Sequence, residues 1–165
     1  MFVSLNKHNS YMNDVLSSLG FVIERFAFVM ERTSSEIINP LFPKGFYVKS
    51  TEFEKGLKTW IDIRNECFKN LAGSPKRDVD FIKKCINSTG HIEGGLMLLY
   101  KENTPVGILY VARDDEDDID EAGIEGIGIL PEYQGQGLGR QLLRTGIKFA
   151  DSLGYKKICL SVYGE

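Results

Sequence analysis

Residues 127–140, Ile-Gly-Ile-Leu-Pro-Glu-Tyr-Gln-Gly-Gln-Gly-Leu-Gly-Arg, join an apolar run to an amphipathic one through three closely spaced glycines. Gly135, Gly137 and Gly139 remove side chains where the backbone must turn sharply. A helix that starts there aims its unpaired N–H groups and the positive end of its dipole back at the turn. Such a turn suits an anion of pyrophosphate size; the alternative is a glycine-rich strand-to-helix connection that holds no ligand.

Spacing narrows the choice. A nucleotide P-loop needs Lys and Ser or Thr after its last glycine, whereas this chain continues Arg140-Gln141-Leu142 and offers no magnesium-holding hydroxyl. A dinucleotide fingerprint needs two residues between its second and third glycines, and here there is one. The segment Gln134-Gly135-Gln136-Gly137-Leu138-Gly139, preceded by Pro131 and Tyr133, fits Gln/Arg-x-x-Gly-x-Gly. It resembles the acetyl-CoA-binding motif of the GCN5-related N-acetyltransferase (GNAT) family.

Length and composition agree with one domain. The 165 residues are 42% hydrophobic, enough for a core, and the net charge of −3 supplies no basic surface for nucleic acid or anionic membrane. Cys67, Cys85 and Cys159 are odd in number and far apart, so they read as buried or idle thiols of a reducing compartment. The first residues meet a polar stretch at once and read as neither signal peptide nor membrane span, which makes the cytoplasm the expected location.

The pattern of apolar residues predicts a helix over 9–19, capped by Asn9 and stopped by Gly20, then one bent strand or two short ones over 21–32. Residues 33–44, with Pro40 and Pro43, form a connector. A strand follows at 46–51, helices at 54–71 and 79–86, and a hairpin at 96–101 and 106–113 whose strands are apolar on both faces. The acidic run 114–121 reads as a solvated loop rather than a metal site, and no metal ligands are assigned. A strand at 124–130, a helix at 137–153 and a strand at 157–162 complete the chain.

For residues 46–162 this order is the one the GNAT resemblance implies: a mixed α/β (α+β) sheet of the acyl-CoA N-acyltransferase fold. The family normally continues with a helix carrying Asn-x-x-Ala-x-x-Leu-Tyr-x-x-Leu-Gly-Phe and closing strands. Here that unit resembles residues 1–32, with Asn9 at the motif's Asn, Met12 at its small residue, Val15 at its Leu, Leu16 at its Tyr and Leu19-Gly20-Phe21 at its end. The expected organisation is one domain over 1–165: a displaced C-terminal helix–strand unit at 1–32, the connector 33–44 and the core 45–165. A circularly permuted domain and a piece of a tandem pair both fit. Covering the sheet's last strand with residues 8–32, within the chain or by exchange in a homodimer, would bury Leu16, Leu19, Phe21 and Phe26.

The resemblance also implies a mechanism. The strand before the turn and the strand after it part, and the pantetheine arm of acetyl-CoA lies between them. Cofactor contacts fall on Ile127, Gly128, Ile129, Gln134, Gly135, Gln136, Gly137, Leu138, Gly139 and Arg140, with Asn9 joining from the displaced helix. An N–H near Ile129 would polarise the thioester carbonyl. Glu125 is the candidate general base, expected on the face of Ile127 and Ile129 and partly buried; the alternative is an exposed strand-end carboxylate. Leu16 leaves the family's acid position vacant, or passes that role to Tyr163. The acceptor expected is a small-molecule amine, met by Arg64, Asn65, Glu66 and Asn70 on the first core helix. A non-catalytic acyl-CoA-binding module, or half of a tandem enzyme, is the rival reading.

Overall fold

The computed structural model describes residues 8–24, 26–32, 36–51, 54–71, 73–113 and 121–164. Its elements are α1 (Ser10–Ser18), β1 (Phe26–Arg32), β2 (Phe46–Ser50), α2 (Glu54–Cys67), α3 (Val79–Ile86), β3 (His91–Lys101), β4 (Thr104–Arg113), β5 (Glu121–Ile129), a short 3-10 turn (Pro131–Tyr133), α4 (Leu138–Ser152) and β6 (Lys157–Gly164). The six strands form one mixed sheet in the order β1-β6-β5-β4-β3-β2. The chain divides into two compact units, Met1–Phe28 with Val162–Glu165, and Val29–Ser161.

In the first unit α1 is made as the sequence predicts. The Asn9 side chain accepts from the Met12 amide at 3.1 Å, and Gly20 takes a left-handed φ of +84° that ends the helix. The expected burial does not follow. No residue of α1 is buried, Leu19 is 69% exposed and Phe26 39%.

The second unit holds the core in two layers, one on each sheet face. Helix α4 buries Leu138, Leu142, Gly146 and Ala150, one residue per turn, against Leu109, Val111 and Ile124. Gly146 lets the helix sit close, since a Cβ there would lie 3.3 Å from Ile124 and Val111 side chains. On the other face Leu57, Trp60, Ile61 and Ile63 of α2 and Ile82 of α3 pack on Leu96, Leu98, Ile108 and Tyr110. Residues 36–44 form neither helix nor strand, as the prolines predict, yet they are tied down: Gln141 accepts from the Leu41 amide at 3.0 Å and Lys148 donates to Asn39 at 2.7 Å.

Three boundaries differ most from expectation. The strand expected over 21–32 begins only at Phe26, and residues 21–24 form neither helix nor strand. Strand β3 begins at His91, five residues early, because its register shifts between His91 and Leu96 and absorbs Gly94 at φ +80°. Helix α2 closes at Cys67, not at 71. Of the acidic run expected as a solvated loop, residues 114–120 lie outside the described residues, whereas Glu121 is a buried member of β5, held there by its ion pair with Lys157.

Candidate active site

The glycine turn is built as a cradle. Gly135 and Gly137 take φ values of +75° and +74°, and a Cβ placed on Gly135, Gly137 or Gly139 would meet nothing within 4 Å. Gly137 is the N-cap of α4, no side chain caps the helix, and its first turn holds no acid. The first amide of α4 with a helical acceptor is that of Gln141, bonded to Gly137 O at 3.3 Å. The amides before it therefore face the open side of the turn, where the helix dipole favours an anion. Leu138 contributes through its backbone alone, since its side chain is 1% exposed in the core. Arg140 is exposed at the same end. Gln134, also exposed, folds back on the chain, its Nε2 donating to Ile129 O at 2.9 Å.

Strand β5 leads into this turn and parts from its neighbour. Its parallel ladder with β6 covers four pairs, from Glu121↔Lys157 to Ile124↔Leu160, while its antiparallel ladder with β4 continues to Gly107↔Ile129. Beyond Ile124 no ladder joins β5 to β6 among the described residues. The Leu130 amide donates to Val106 O at 3.0 Å, so residue 130 faces β4. Strand alternation then turns the amides of Ile127 and Ile129 toward the β6 side. This is the edge on which an extended ligand can lie as an added strand. The closed end of the fork is pinned by Lys157, which sits 2.7 Å from Glu121 and 3.3 Å from Glu31.

Glu125 stands at a β-bulge. The β4–β5 register steps from Tyr110↔Gly126 to Val111↔Ile124, so Glu125 is the extra residue. The bulge overturns the expectation that Glu125 shares a face with Ile127 and Ile129. Those two pack with Leu138 and Leu142, on the α4 side. Glu125 instead turns its carboxylate over Gly123, where an added Cβ would meet Oε1 at 2.2 Å. It lies on the α2–α3 side and is exposed rather than partly buried. Its charge reaches the Cys85 thiol, which is pushed up first by burial and then by Glu125. Sequence reasoning missed Cys85 as a group within reach of its charge, because the two come from different elements.

Other candidates are placed as follows. Asn9 caps α1 in the first unit, and Tyr163 lies in β6 with its side chain outside the described residues. The polar groups assigned to an acceptor are engaged locally. Arg64 donates to Pro75 O at 2.8 Å and Ser74 Oγ at 2.9 Å, Asn65 exchanges bonds with the backbone of Arg77, and Glu66 pairs with Lys69. They shape the loop after α2. Cys67 lies under the fork, its Sγ 3.1 Å from where a Gly128 Cβ would be. Burial, then Glu66 and Glu132, push its thiol up to about 11, so it is a protonated, poor nucleophile at neutral pH. Among the described residues no cluster of three His, Cys, Asp or Glu is placed to hold a metal, and no helix is long and apolar enough to cross a membrane.

A mixed sheet that forks beside an uncapped, glycine-entered helix defines a scaffold for an anion with an extended arm. The chain belongs to the acetyltransferase (GNAT) family, whose model matches residues 57–164. Its fold is similar to that of the GCN5-related N-acetyltransferase of Sphaerobacter thermophilus, with a TM-score of 0.81 and 16% identity over 98% of this chain and 50% of that one. The GCN5-related N-acetyltransferase of Kribbella flavida gives 0.64 and 16% over 95% and 55%. A GNAT acetyltransferase of Brucella melitensis, solved in complex with acetyl-CoA, gives 0.60 and 14% over 70% and 74%. The chain thus spans about half the length of the first two. No curated protein sequence matches it.

Proposed function

We propose that the chain transfers an acetyl group from acetyl-CoA to the primary amine of a small molecule by direct attack. The observation that carries this reading is the fork itself: an open β5 edge running straight into an uncapped helix start, with open space where the glycine side chains would be. The residues fit the donor. Backbone amides of residues 136–140 and the exposed Arg140 would hold the pyrophosphate, and the open edge at Ile127 and Ile129 would hold the pantetheine arm. Acetyl-CoA supplies an activated thioester.

An amine must shed a proton before it attacks. Glu125 is the carboxylate offered at the bulge, on the α2–α3 side, where it can take that proton. The Ile129 amide is the candidate donor to the thioester oxygen, a contribution of roughly 3 to 4 kcal/mol in such sites. Cys67, held protonated, argues for direct attack over an acyl-cysteine route. Calorimetric titration with acetyl-CoA, followed by release of CoA thiol against a panel of amines, tests the reading. No heat of binding would reject it.

A second reading has its own support. The match to 98% of this chain within one twice as long favours half of a tandem acetyltransferase over a circularly permuted domain. In that case the helix–strand unit at 1–32 closes a preceding domain, and this half either catalyses or only binds acyl-CoA. Binding without turnover on any amine would select the binding module.

A further inference from the structure

We propose that Arg144 receives the 3′-phosphate of acetyl-CoA and makes the site selective for the phosphorylated nucleotide, with Gln141 and the connector residues 36–44 holding it in place. The inference rests on the acetyl-CoA reading for the ligand, and on three features of the Val29–Ser161 unit for the contact.

The first feature is a helix whose charges run against its dipole. Acids favour the N-terminal end of a helix and cations the C-terminal end. Helix α4 has Arg140 in its first turn and Arg144 in its second, while its first turn holds no acid and its last turn no base. Its one acid, Asp151, lies in the last turn. Like charges four residues apart also repel. Among the described residues neither arginine pairs with a carboxylate. An arrangement unfavourable to the bare helix on both counts becomes favourable when two anionic groups lie at its start. Acetyl-CoA carries two: the pyrophosphate, and the phosphate on the 3′-hydroxyl of the neighbouring ribose.

The second feature is direction. Arg140, Arg144 and Lys148 recur every four residues and are each offset by two positions, about 200° of helix, from the buried Leu138, Leu142 and Gly146. They therefore line the outer side of α4, where a nucleotide continuing past the pyrophosphate is not blocked by the sheet. Of the three, Arg140 stands at the pyrophosphate itself, and Lys148 is engaged by Asn39, to whose Oδ1 it donates at 2.7 Å. Arg144 lies between them. Its side chain leans toward the N-terminus, as long side chains on helices do: Nη1 donates to Oε1 of Gln141, three residues back, at 3.2 Å. The guanidinium is thereby brought back to the level of Gln141, about one turn or 5.4 Å along the axis from the cradle, the kind of span that one ribose sets between its two phosphates.

The third feature is how the guanidinium is fixed. Gln141 Oε1 accepts from Arg144 and also from the Leu41 amide at 3.0 Å, so one oxygen joins the connector, α4 and the arginine. Among the described residues Arg144 makes no other hydrogen bond, which leaves most of its N–H donors for a ligand. Its planar fork suits a phosphate, to which it can donate two parallel bonds. A group already held in position also loses less freedom on binding.

The test is calorimetric titration of the full chain with CoA and with 3′-dephospho-CoA, which share the pantetheine arm and the pyrophosphate. The unaltered chain should bind CoA about tenfold more tightly, the size of one hydrogen bond to a charged group. Arg144→Gln should bring CoA down to the dephospho value and leave 3′-dephospho-CoA unchanged, and Arg144→Lys should keep part of the difference. Arg140→Gln should weaken both ligands alike. Gln141→Leu removes the oxygen that sets the guanidinium and should narrow the ratio of the two affinities, while the melting temperature reports separately on the loosened connector; a ratio it leaves untouched overturns the positioning role. Equal binding of the two nucleotides by the unaltered chain overturns the proposal and leaves the acetyl-CoA reading standing, as does a ratio that survives Arg144→Gln. Binding of neither nucleotide rejects both.

Discussion

At the scale of single residues the active-site proposal turns on one inserted amino acid. Glu125→Gln keeps the shape of the bulge and removes the base. It should cut turnover by roughly 100-fold without changing acetyl-CoA affinity, read by CoA release and calorimetry. Gly123→Ala probes the same carboxylate from below. The added methyl displaces Oε1, the free end of a flexible side chain, so turnover should fall while the melting temperature stays within a few degrees. Gly95→Ala is the contrasting case, because its methyl would meet the backbone oxygen of Val111 at 2.1 Å, and that variant should fail to fold. Glu121 gives a pH prediction. Hydrogen bonding to Cys159 first and Lys157 second holds its carboxyl below the ordinary value of 4.5. The folded form therefore binds that proton less readily than the unfolded chain, so the stabilisation is complete above pH 4.5 and is lost as pH falls toward the lowered value. Glu121→Gln should flatten the acid limb of a denaturation series. Glu125 as a candidate was legible from its place before the glycine turn. Its face was not, because a strand read at strict period two has no way to announce an extra residue.

Elements were the most legible level, and the reasons are physical. Leu138, Leu142, Gly146 and Ala150 recur once per turn, and Gly137 and Gly154 bracket them, so α4 could be drawn almost to its ends. Leu142→Ala should cost about 2 to 5 kcal/mol by urea unfolding, the range for a fully buried leucine. Gly137→Val acts on the same helix in another way. A β-branched residue at φ +74° strains the entry turn and fills the space over the amides, so acetyl-CoA binding should vanish in a protein that still unfolds cooperatively. The start of β3 was illegible because Gly94 and Gly95 look like a break, and they are instead the bulge that lets the strand continue. The charged and amide side chains of α2 misled for a related reason. Sequence shows that Arg64 and Asn65 are polar, but only the folded loop shows that their bonds go to residues 74–77.

At the scale of the whole molecule, the order of the six strands puts β1 beside β6. Deleting residues 1–32 bares the edge of β6, and the remainder should aggregate; light scattering on residues 33–165 checks this, and a soluble, acetyl-CoA-binding fragment would show that residues 1–32 are dispensable. The same measurement on the full chain separates a monomer from a dimer formed by exchange. The capped helix was legible from Asn9 and from Gly20 at its stop, whereas the exposure of its apolar residues was not, since periodicity marks a face without saying what covers it. The fork, finally, ties the protein's survival to its surroundings. Two parallel strands that share four pairs are zipped only at one end, and a ligand lying between them acts as a temporary strand. On the proposed reading, acetyl-CoA at one hundred times its Kd adds about 2.7 kcal/mol to the folded state. Resistance to proteases would then rise and fall with the acyl-CoA supply, and a starved cell would clear the protein faster than a fed one.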